Sequence, residues 1–237
     1  MTRLFGMLIC ALMAGGAGAD TLGDVRAAVG RLGARQPVRG TFAVEQSVKA
    51  AGKFSNENTA RSVSLEVLHD GAGVSITIPQ ALVAARSDAA RGAIGSIRSL
   101  AVVEALDFRE TLLEMMEHAT ITAEKRVAHG GRPARLLVLK LQPRPKKESG
   151  SIRIGSVNSE EQLSLWVGDD NLPLAAERVQ KTTAGFLIFH GSTEGRTSYT
   201  FAHTPDRLLV ARMEASESGA GMGQKIDVKS VQTLTLH

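Results

Sequence analysis

Two runs of alternating side chains flank a polar turn in Ser62-Val-Ser-Leu-Glu-Val-Leu-His-Asp-Gly-Ala-Gly-Val-Ser-Ile-Thr-Ile78. Apolar and mostly β-branched residues recur there at every second position, at Val63, Leu65, Val67, Val74, Ile76 and Ile78. Alternation with a period of two is typical of antiparallel strands that bury one face. The Asp70-Gly71-Ala72-Gly73 segment has the residue types that favour a chain reversal. The stretch therefore predicts a β-hairpin whose apolar side chains point toward a core.

The same alternation continues over most of the chain and predicts about ten or eleven strands in total. Gly40–Val48 precedes the hairpin, and Ala50–Thr59 is rich in Gly, Ser and Asn and predicts a loop. Further strands are predicted at Thr120–Ala128, Pro133–Leu141, Glu161–Gly168, Leu174–Thr182, Phe186–His190, Thr197–His203, Leu208–Ala215 and Lys225–Leu236. Gly191–Gly195 is interpreted as a turn between two of them.

Two segments have helical periodicity instead. Thr21–Ala34 places apolar residues on one face, with Thr21 as the expected N-cap and Asp24 three residues later. Gln80–Ala119 is rich in Ala, Leu, Glu and Met, and a fresh helix is expected from Phe108.

The order of these elements predicts one wide antiparallel sheet. A sheet of this width usually curls into a barrel or half-barrel, and helices then cover its concave face. We therefore expect a mainly β (α+β) fold: an antiparallel, unclosed β-barrel (half-barrel) with an N-terminal helix and a central helical lid. Residues 20–237 are expected to form this single domain.

The first nineteen residues have the layout of a secretory signal peptide. Arg3 is followed by an apolar run from Leu4 to Met13 and by Ala17-Gly18-Ala19, a typical cleavage site. We expect cleavage after Ala19 and a periplasmic location. Cys10, the single cysteine, lies inside this segment, so the mature chain is expected to contain no disulfide.

The residues give little support for catalysis or for metal binding. The chain contains no nucleophile-elbow, zinc-protease or phosphate-loop motif, and no two of its six histidines are three or four residues apart. His69 and His129 lie at predicted turns and are expected to be solvated. Asp169-Asp170-Asn171 is typical of a hairpin turn rather than of an acid/base pair. We therefore expect a protein that is not an enzyme, with no cofactor and no metal.

Charge and aromatic content exclude other classes of binding protein. The net charge is +4, and no long basic tract is interleaved with aromatic residues, so nucleic-acid binding is not expected. The densest basic stretch, Pro143–Gly150, is typical of a solvated loop. Its alternative role is contact with anionic lipid headgroups or with an acidic partner.

One longer segment carries a resemblance to a known family. Leu163-Ser-Leu-Trp-Val-Gly-Asp-Asp-Asn-Leu-Pro-Leu-Ala-Ala-Glu-Arg178 resembles the corresponding hairpin of the periplasmic lipoprotein carriers, the LolA/LolB-like group. The predicted layout of leader, helix, strands and helical insertion is similar as well. In contrast to those carriers, the strand after Asp70-Gly71 has no aromatic residue. The resemblance implies an unclosed barrel under a helical lid, with a cavity that holds acyl chains.

The expected function is therefore periplasmic, non-catalytic binding of a lipid or of lipoprotein acyl chains, as in outer-membrane lipoprotein localisation. The expected lining residues are apolar strand and lid positions: Val63, Leu65, Val67, Val74, Ile76, Ile78, Leu112, Met115, Met116, Leu163, Leu165 and Val167. A monomer is expected, with transient contact to a membrane or to a membrane-bound donor or acceptor. The alternative is an envelope sensor or scaffold that binds a protein partner, as do the related sensor domains that bind an anti-sigma factor. A concavity filled by side chains would favour this alternative.

Overall fold

The computed structural model describes residues 20–33, 36–52, 56–70, 73–84, 99–142, 156–186, 189–221 and 223–237. The predicted signal peptide, the hairpin tip at 71–72 and the basic loop at 143–150 lie outside these residues. What the sequence predicts for those three segments therefore stays a prediction.

The body of the protein is a sheet of ten strands. In chain order they are β1 (Val38–Gly52), β2 (Glu57–Asp70), β3 (Gly73–Thr77), β4 (Ala119–His129), β5 (Arg132–Leu141), β6 (Ser156–Val167), β7 (Pro173–Phe186), β8 (Phe189–Thr204), β9 (Arg207–Gly221) and β10 (Gln224–Leu236). The described helices are α1 (Thr21–Gly30), α2 (Gln80–Ala84), α3 (Ser99–Leu106) and α4 (Arg109–Glu117).

The strand order is β3-β2-β1-β10-β9-β8-β7-β6-β5-β4, and all pairs are antiparallel. Neighbouring strands are consecutive in sequence except for β1 and β10, which pair from Gly40 with Leu236 to Gly52 with Gln224. Within the described residues β3 and β4 do not pair with each other, so the sheet keeps two edges and does not close. This confirms the predicted mainly β, unclosed antiparallel architecture.

The hairpin predicted at 62–78 is present as β2 and β3. Its register runs from Glu66 opposite Thr77 to Asp70 opposite Gly73. The Gly73 N–H donates to Asp70 Oδ1 at 3.2 Å, which fixes the entry to β3 after the turn.

The start of α1 differs from the prediction by one residue. The N-cap is Asp20, whose Oδ1 accepts the Gly23 N–H at 3.0 Å, whereas Thr21 is already helical. A carboxylate at this position also interacts favourably with the positive end of the helix dipole. The helix ends at Gly30 rather than at Ala34.

Several strands are longer than the sequence predicts. Gly191–Gly195, interpreted as a turn, lies inside β8, which also contains the predicted Thr197–His203 strand. The loop predicted at Ala50–Thr59 is shortened in the same way, since β1 continues to Gly52 and β2 begins at Glu57. Gly191–Gly195 pairs with β7 on one side and with β9 on the other, and Glu57–Thr59 pairs with β1. These pairings supply backbone hydrogen bonds that outweigh the weak strand preference of glycine and serine.

The face of the sheet that carries the core, called the inner face below, holds two hydrophobic clusters. In the first, α1 and α4 pack on the middle strands through Leu22, Val25, Val29, Leu32, Phe108, Leu112, Met116, Leu137, Leu139, Leu141, Leu163, Leu165, Val167, Ala176, Tyr199, Phe201, Leu208 and Val210. In the second, α3 packs on β1 and β2 through Val38, Phe42, Val44, Val63, Leu65, Val67, Val102, Ala105, Leu106, Leu209 and Leu234. Both clusters contact β9, because Leu208 and Val210 belong to the first cluster and Leu209 to the second.

Candidate functional site

The residues predicted to line a lipid cavity mostly lie inside these clusters. Eight of them are buried: Val63, Leu65, Val67, Leu112, Met116, Leu163, Leu165 and Val167. Val74 and Met115 are partly buried against the clusters. Ile76 and Ile78 are 36% and 38% exposed. The structure thus brings most of the predicted residues together, but as packing between sheet and helices rather than as the wall of an open cavity.

Strand register shows where the inner face changes character. Cross-strand partners point to the same side of a sheet, so each row of partners forms a line across it. One row is mainly apolar and lies in or beside the clusters: Leu165, Ala176, Tyr199, Met213, Gln232 and Val44. The next inward-facing residues, two positions further from the clusters on each strand, are mostly polar.

Four such rows make up the second half of the inner face, called the groove below. They are Arg178-Thr197-Ala215-Ser230, Gln180-Gly195-Glu217-Val228, Thr182-Thr193-Gly219-Ile226 and Ala184-Gly191-Gly221-Gln224. All four rows cross β7, β8, β9 and β10 in that order. The groove therefore continues the inner face beyond the helix-covered clusters.

Two cavities lie over the groove. The first, of about 210 Å³, is lined by Arg178, Gln180, Thr193, Gly195, Thr197, Ala215, Ser216, Glu217, Val228 and Ser230. The second, of about 410 Å³, is lined by Thr182, Ala184, Gly191, Ser192, Thr193, Gly219, Ala220, Gly221, Gln224 and Ile226. Both cavities contact Thr193, so they are adjacent along the groove.

Several positions on the floor of the groove are occupied by glycine. Gly195 is in the interior of β8, where a methyl group added to it would meet no heavy atom within 4 Å. At Gly191 and Gly219 the nearest atoms would be 3.6 and 3.8 Å away, which is ordinary contact. Glycine inside a strand costs roughly 0.5–1 kcal/mol relative to alanine. Packing does not require these glycines, so their presence is consistent with a ligand or another backbone that approaches closely.

A polar network marks the boundary between the clusters and the groove. Arg178 lines the first cavity, and its Nε donates to Glu161 Oε1. Glu104 of α3 accepts a hydrogen bond from Thr111 of α4 at 3.3 Å and contributes its charge to the same region. Tyr199 packs beside Phe108, with ring centroids 4.9 Å apart. The network therefore joins the helices to the first row of the groove.

The electrostatics of the network follow from burial and from these charges. Burial raises the pKa of Tyr199 above its usual 10.0; Arg178 opposes this change, while Glu104 and Glu161 add to it. For Arg178, burial acts to lower the pKa, but the hydrogen bond and charge of Glu161 outweigh it and raise the pKa. Arg178 is therefore a firmly charged cation at the edge of the groove.

Two arginines hold α1 and α4 together above the first cluster. Arg26 of α1 donates to the Met116 carbonyl, and Arg109 Nη1 donates to the Leu32 carbonyl at 3.0 Å. Both carbonyls lie near helix ends, where the last carbonyls have no partner four residues on; the Met116 carbonyl also accepts the His118 N–H. The two helices thus form one connected cover.

The outer face carries a third depression, of about 690 Å³. Its lining includes Lys49, Glu194, Arg196, Asp227 and Lys229. Glu194 pairs with Lys181 at 3.6 Å, and Asp227 pairs with Lys225 at 3.3 Å. Exposed ion pairs of this kind are common on surfaces and contribute little, so the groove is the better candidate site.

Within the described residues, no three His, Cys, Asp or Glu side chains are grouped so that they could hold a metal ion. The described helices are also too short or too polar to cross a membrane.

Comparison with known proteins adds little to this geometry. No family model matches the chain, and no curated protein matches it. Among solved structures the chain is similar to MucB in complex with MucA(peri), at 14% sequence identity. The match covers 91% of this chain and 93% of that chain with a TM-score of 0.16. A superposition at that score establishes neither fold nor function.

The groove is the feature that the sequence analysis missed. Its β8 floor was hidden because Gly191-Ser-Thr-Glu-Gly195 has the composition of a turn. The available signal was spacing: Gly191, Thr193, Gly195 and Thr197 alternate with polar and charged residues at a period of two.

Proposed function

We propose that the protein is a non-catalytic binding module of the periplasm whose groove holds an extended segment of a protein partner. The observation that carries this proposal is the division of the inner face. One half is filled by side chains beneath the helices, and the other half is open, with glycine at four of its sixteen row positions. A polypeptide is the class of ligand that suits a long, shallow, polar floor.

The chemistry of the groove supports a polypeptide over a lipid. Threonine, serine and glutamine side chains provide both donors and acceptors for main-chain groups. Thr193, Thr197 and Ser230 are spread over two strands, so they match a repeating ligand rather than a compact one. Arg178 and Glu217 add one charge of each sign to the same cavity. An acyl chain would leave these polar groups without partners, which disfavours it.

The cellular location and the oligomeric state in this proposal are inferred from the sequence. The leader-like segment at 1–19 supports export, and the resemblance of 163–178 to the lipoprotein carriers supports a periplasmic role. The protein then acts by binding alone, as a monomer, without a cofactor. A sensor or scaffold is the form of envelope protein that fits this description.

The proposal is tested by photocrosslinking from the groove. A photoreactive amino acid replaces Thr197 in the groove or, as the matched control, Ser218 on the outer face, and cells of the source organism are irradiated. We expect a discrete polypeptide adduct from position 197 that is absent from position 218. Adding Gly195→Leu, which fills open space in the groove, removes the adduct; adding Ser218→Leu leaves it intact. Adducts of equal yield at both positions would contradict the proposal.

A second candidate function is lipid carriage, which one observation favours. The helices contact the sheet through apolar side chains in both clusters, so displacing them would uncover an apolar surface. Each methylene removed from water there contributes about 0.8 kcal/mol. Native mass spectrometry of the protein from a periplasmic extract tests this: a co-purifying lipid that is lost in Ile76→Asp supports carriage. A lipid-free mass, with no uptake of an added fluorescent fatty acid, contradicts it.

A further inference from the structure

The link between α1 and β1 is held by the turn that leads into β9. The Gln36 N–H donates to Asp206 Oδ2 at 2.7 Å. The Gln36 carbonyl accepts from Arg207 at both Nε and Nη2, at 3.1 and 2.6 Å. Both backbone groups of one residue are therefore bound by adjacent residues of the β8–β9 hairpin. We call this arrangement the clamp.

The clamp is tied to the other helices as well. Leu208, next to Arg207, accepts the Phe108 N–H at 2.8 Å. Asp107, which precedes Phe108, accepts the Arg109 N–H at 3.1 Å and so fixes the start of α4. The link before β1 and the link between α3 and α4 thus converge on the first residues of β9.

Arg207 is the notable member of the clamp because its side chain is fully buried, with 0% exposure. A buried guanidinium depends on its hydrogen-bond partners and on the charges around it. A second positive charge placed nearby would weaken the hold on Gln36.

His69 is the group that can supply that charge. It is the penultimate residue of β2, opposite Val38 of β1 and Val74 of β3. It is partly buried rather than solvated as the sequence predicts, and its Nδ1 makes no hydrogen bond of ordinary geometry among the described residues. A charged imidazole at this position would therefore gain no stabilising hydrogen bond at Nδ1.

The charges that act on His69 come from three sides. Burial is the largest influence and lowers the pKa of His69, and the positive charge of Arg207 lowers it further. Asp107 from the α3–α4 link, Asp70 from the end of β2 and the residue's own backbone raise it, but not enough to reverse the change. The folded protein therefore favours the neutral form of His69 more strongly than the unfolded chain does.

We propose that His69 and Arg207 form a pH-sensitive latch, in which protonation of His69 loosens the clamp on Gln36 and frees the helical cover. The latch does not depend on what the groove binds.

The sign of the pH dependence follows from linkage. In the unfolded chain His69 titrates near its ordinary 6.5, and in the folded protein it titrates lower. Between those two pKa values the unfolded state binds more protons, so stability falls as the pH falls through that window. Above the window the imidazole is neutral in both states and the contribution to stability is complete.

Hydrogen exchange of the Gln36 amide tests the latch directly. Exchange of the mature protein is measured from pH 8 to pH 5 and corrected for intrinsic rates. We expect protection at Gln36 and along α1 to fall as the pH drops. In His69→Gln, which does not titrate in this range, protection should be independent of pH. His129→Gln is the matched control, since His129 lies in β4 and packs against Trp166 with ring centroids 5.4 Å apart, several strands from the clamp, and it should behave like the wild type.

Two results would overturn the proposal. One is that protection of the Gln36 amide in His69→Gln falls with pH in the same way as in the wild type. The other is a His69 titration in the intact protein, followed by its ring proton resonance, with a midpoint at or above that of an unfolded control peptide. The second measurement needs no variant, so it decides the question even if His69→Gln fails to fold.

Discussion

At the scale of single residues, Leu165 and Gly195 differ in what covers them. Both are inner-face positions of long strands, yet Leu165 is packed under helices while Gly195 faces open space. The sequence predicts the inward direction of Leu165 because alternation reports which face a residue is on. Alternation does not report what covers that face, so a packed core and a lipid cavity give the same pattern.

Tyr199 offers a residue-scale test of the boundary network, because it is the single tyrosine of the chain. Ultraviolet difference absorbance should give a phenol pKa above 10.0, since burial disfavours the charged form. Folding stability should therefore decline as the pH rises above the unfolded value, where only the unfolded phenol has lost its proton. Glu104→Gln should lower the midpoint, Arg178→Met should raise it, and Glu214→Gln on the outer face should leave it unchanged. A midpoint that does not respond to Glu104→Gln would refute the electrostatic interaction of Glu104 with Tyr199.

At the scale of elements, local patterns predict the strands that alternate strongly and miss those that do not. The β2–β3 turn and the β4–β5 hairpin are both predicted to within a few residues, because runs rich in apolar residues are separated there by glycine-containing turns. The Gly191–Arg196 part of β8 and the last third of β9 are missed, because glycine and serine are frequent there. Long-range pairing decides these segments, and a single sequence does not reveal pairing partners.

At the same scale, we predict that the hydrogen bond from Arg109 to the Leu32 carbonyl holds α1 in place. Arg109→Met keeps the apolar stem but removes the donor to the Leu32 carbonyl, a charged hydrogen bond of about 1.5–3 kcal/mol. Amides of α1 should exchange faster, with a smaller change in the exchange of the central strands. Glu110→Gln is the matched control: Glu110 pairs with Arg109 at 3.0 Å but is 84% exposed, so its loss should matter little. Equal effects of the two substitutions would show that the surface pair, not the carbonyl contact, holds the helix.

At the scale of the whole molecule, the sheet consists of two groups of sequential strands that are joined by one long-range pairing. From β4 to β10 every strand pairs with the next one in sequence, as do β1, β2 and β3. Only the pairing of β1 with β10 joins the two groups, and it brings together strands from opposite ends of the described chain. Closing so large a loop costs more chain entropy than forming a hairpin, so we expect it to form late.

Refolding kinetics measured at two positions test whether the β1–β10 pairing forms after the sequential strands. Trp166, the single tryptophan, reports on β6, and a dye on Ser47→Cys reports on the junction of β1 with β10. We expect the tryptophan signal to recover first and the dye signal to follow, on the scale of about milliseconds to seconds for a fold of this kind. A single shared rate at both positions would mean that the two strand groups form together.

The β1–β10 pairing also has a consequence for export. If the leader directs the chain through a membrane from its amino end, β1 to β3 emerge first and β10 emerges last. During that interval one edge of β1 has its backbone donors and acceptors exposed and no strand to meet them, which is the condition that favours aggregation. The early half of the molecule therefore needs shelter until translocation ends, so its yield in cells should depend on periplasmic holding chaperones more than its final stability suggests.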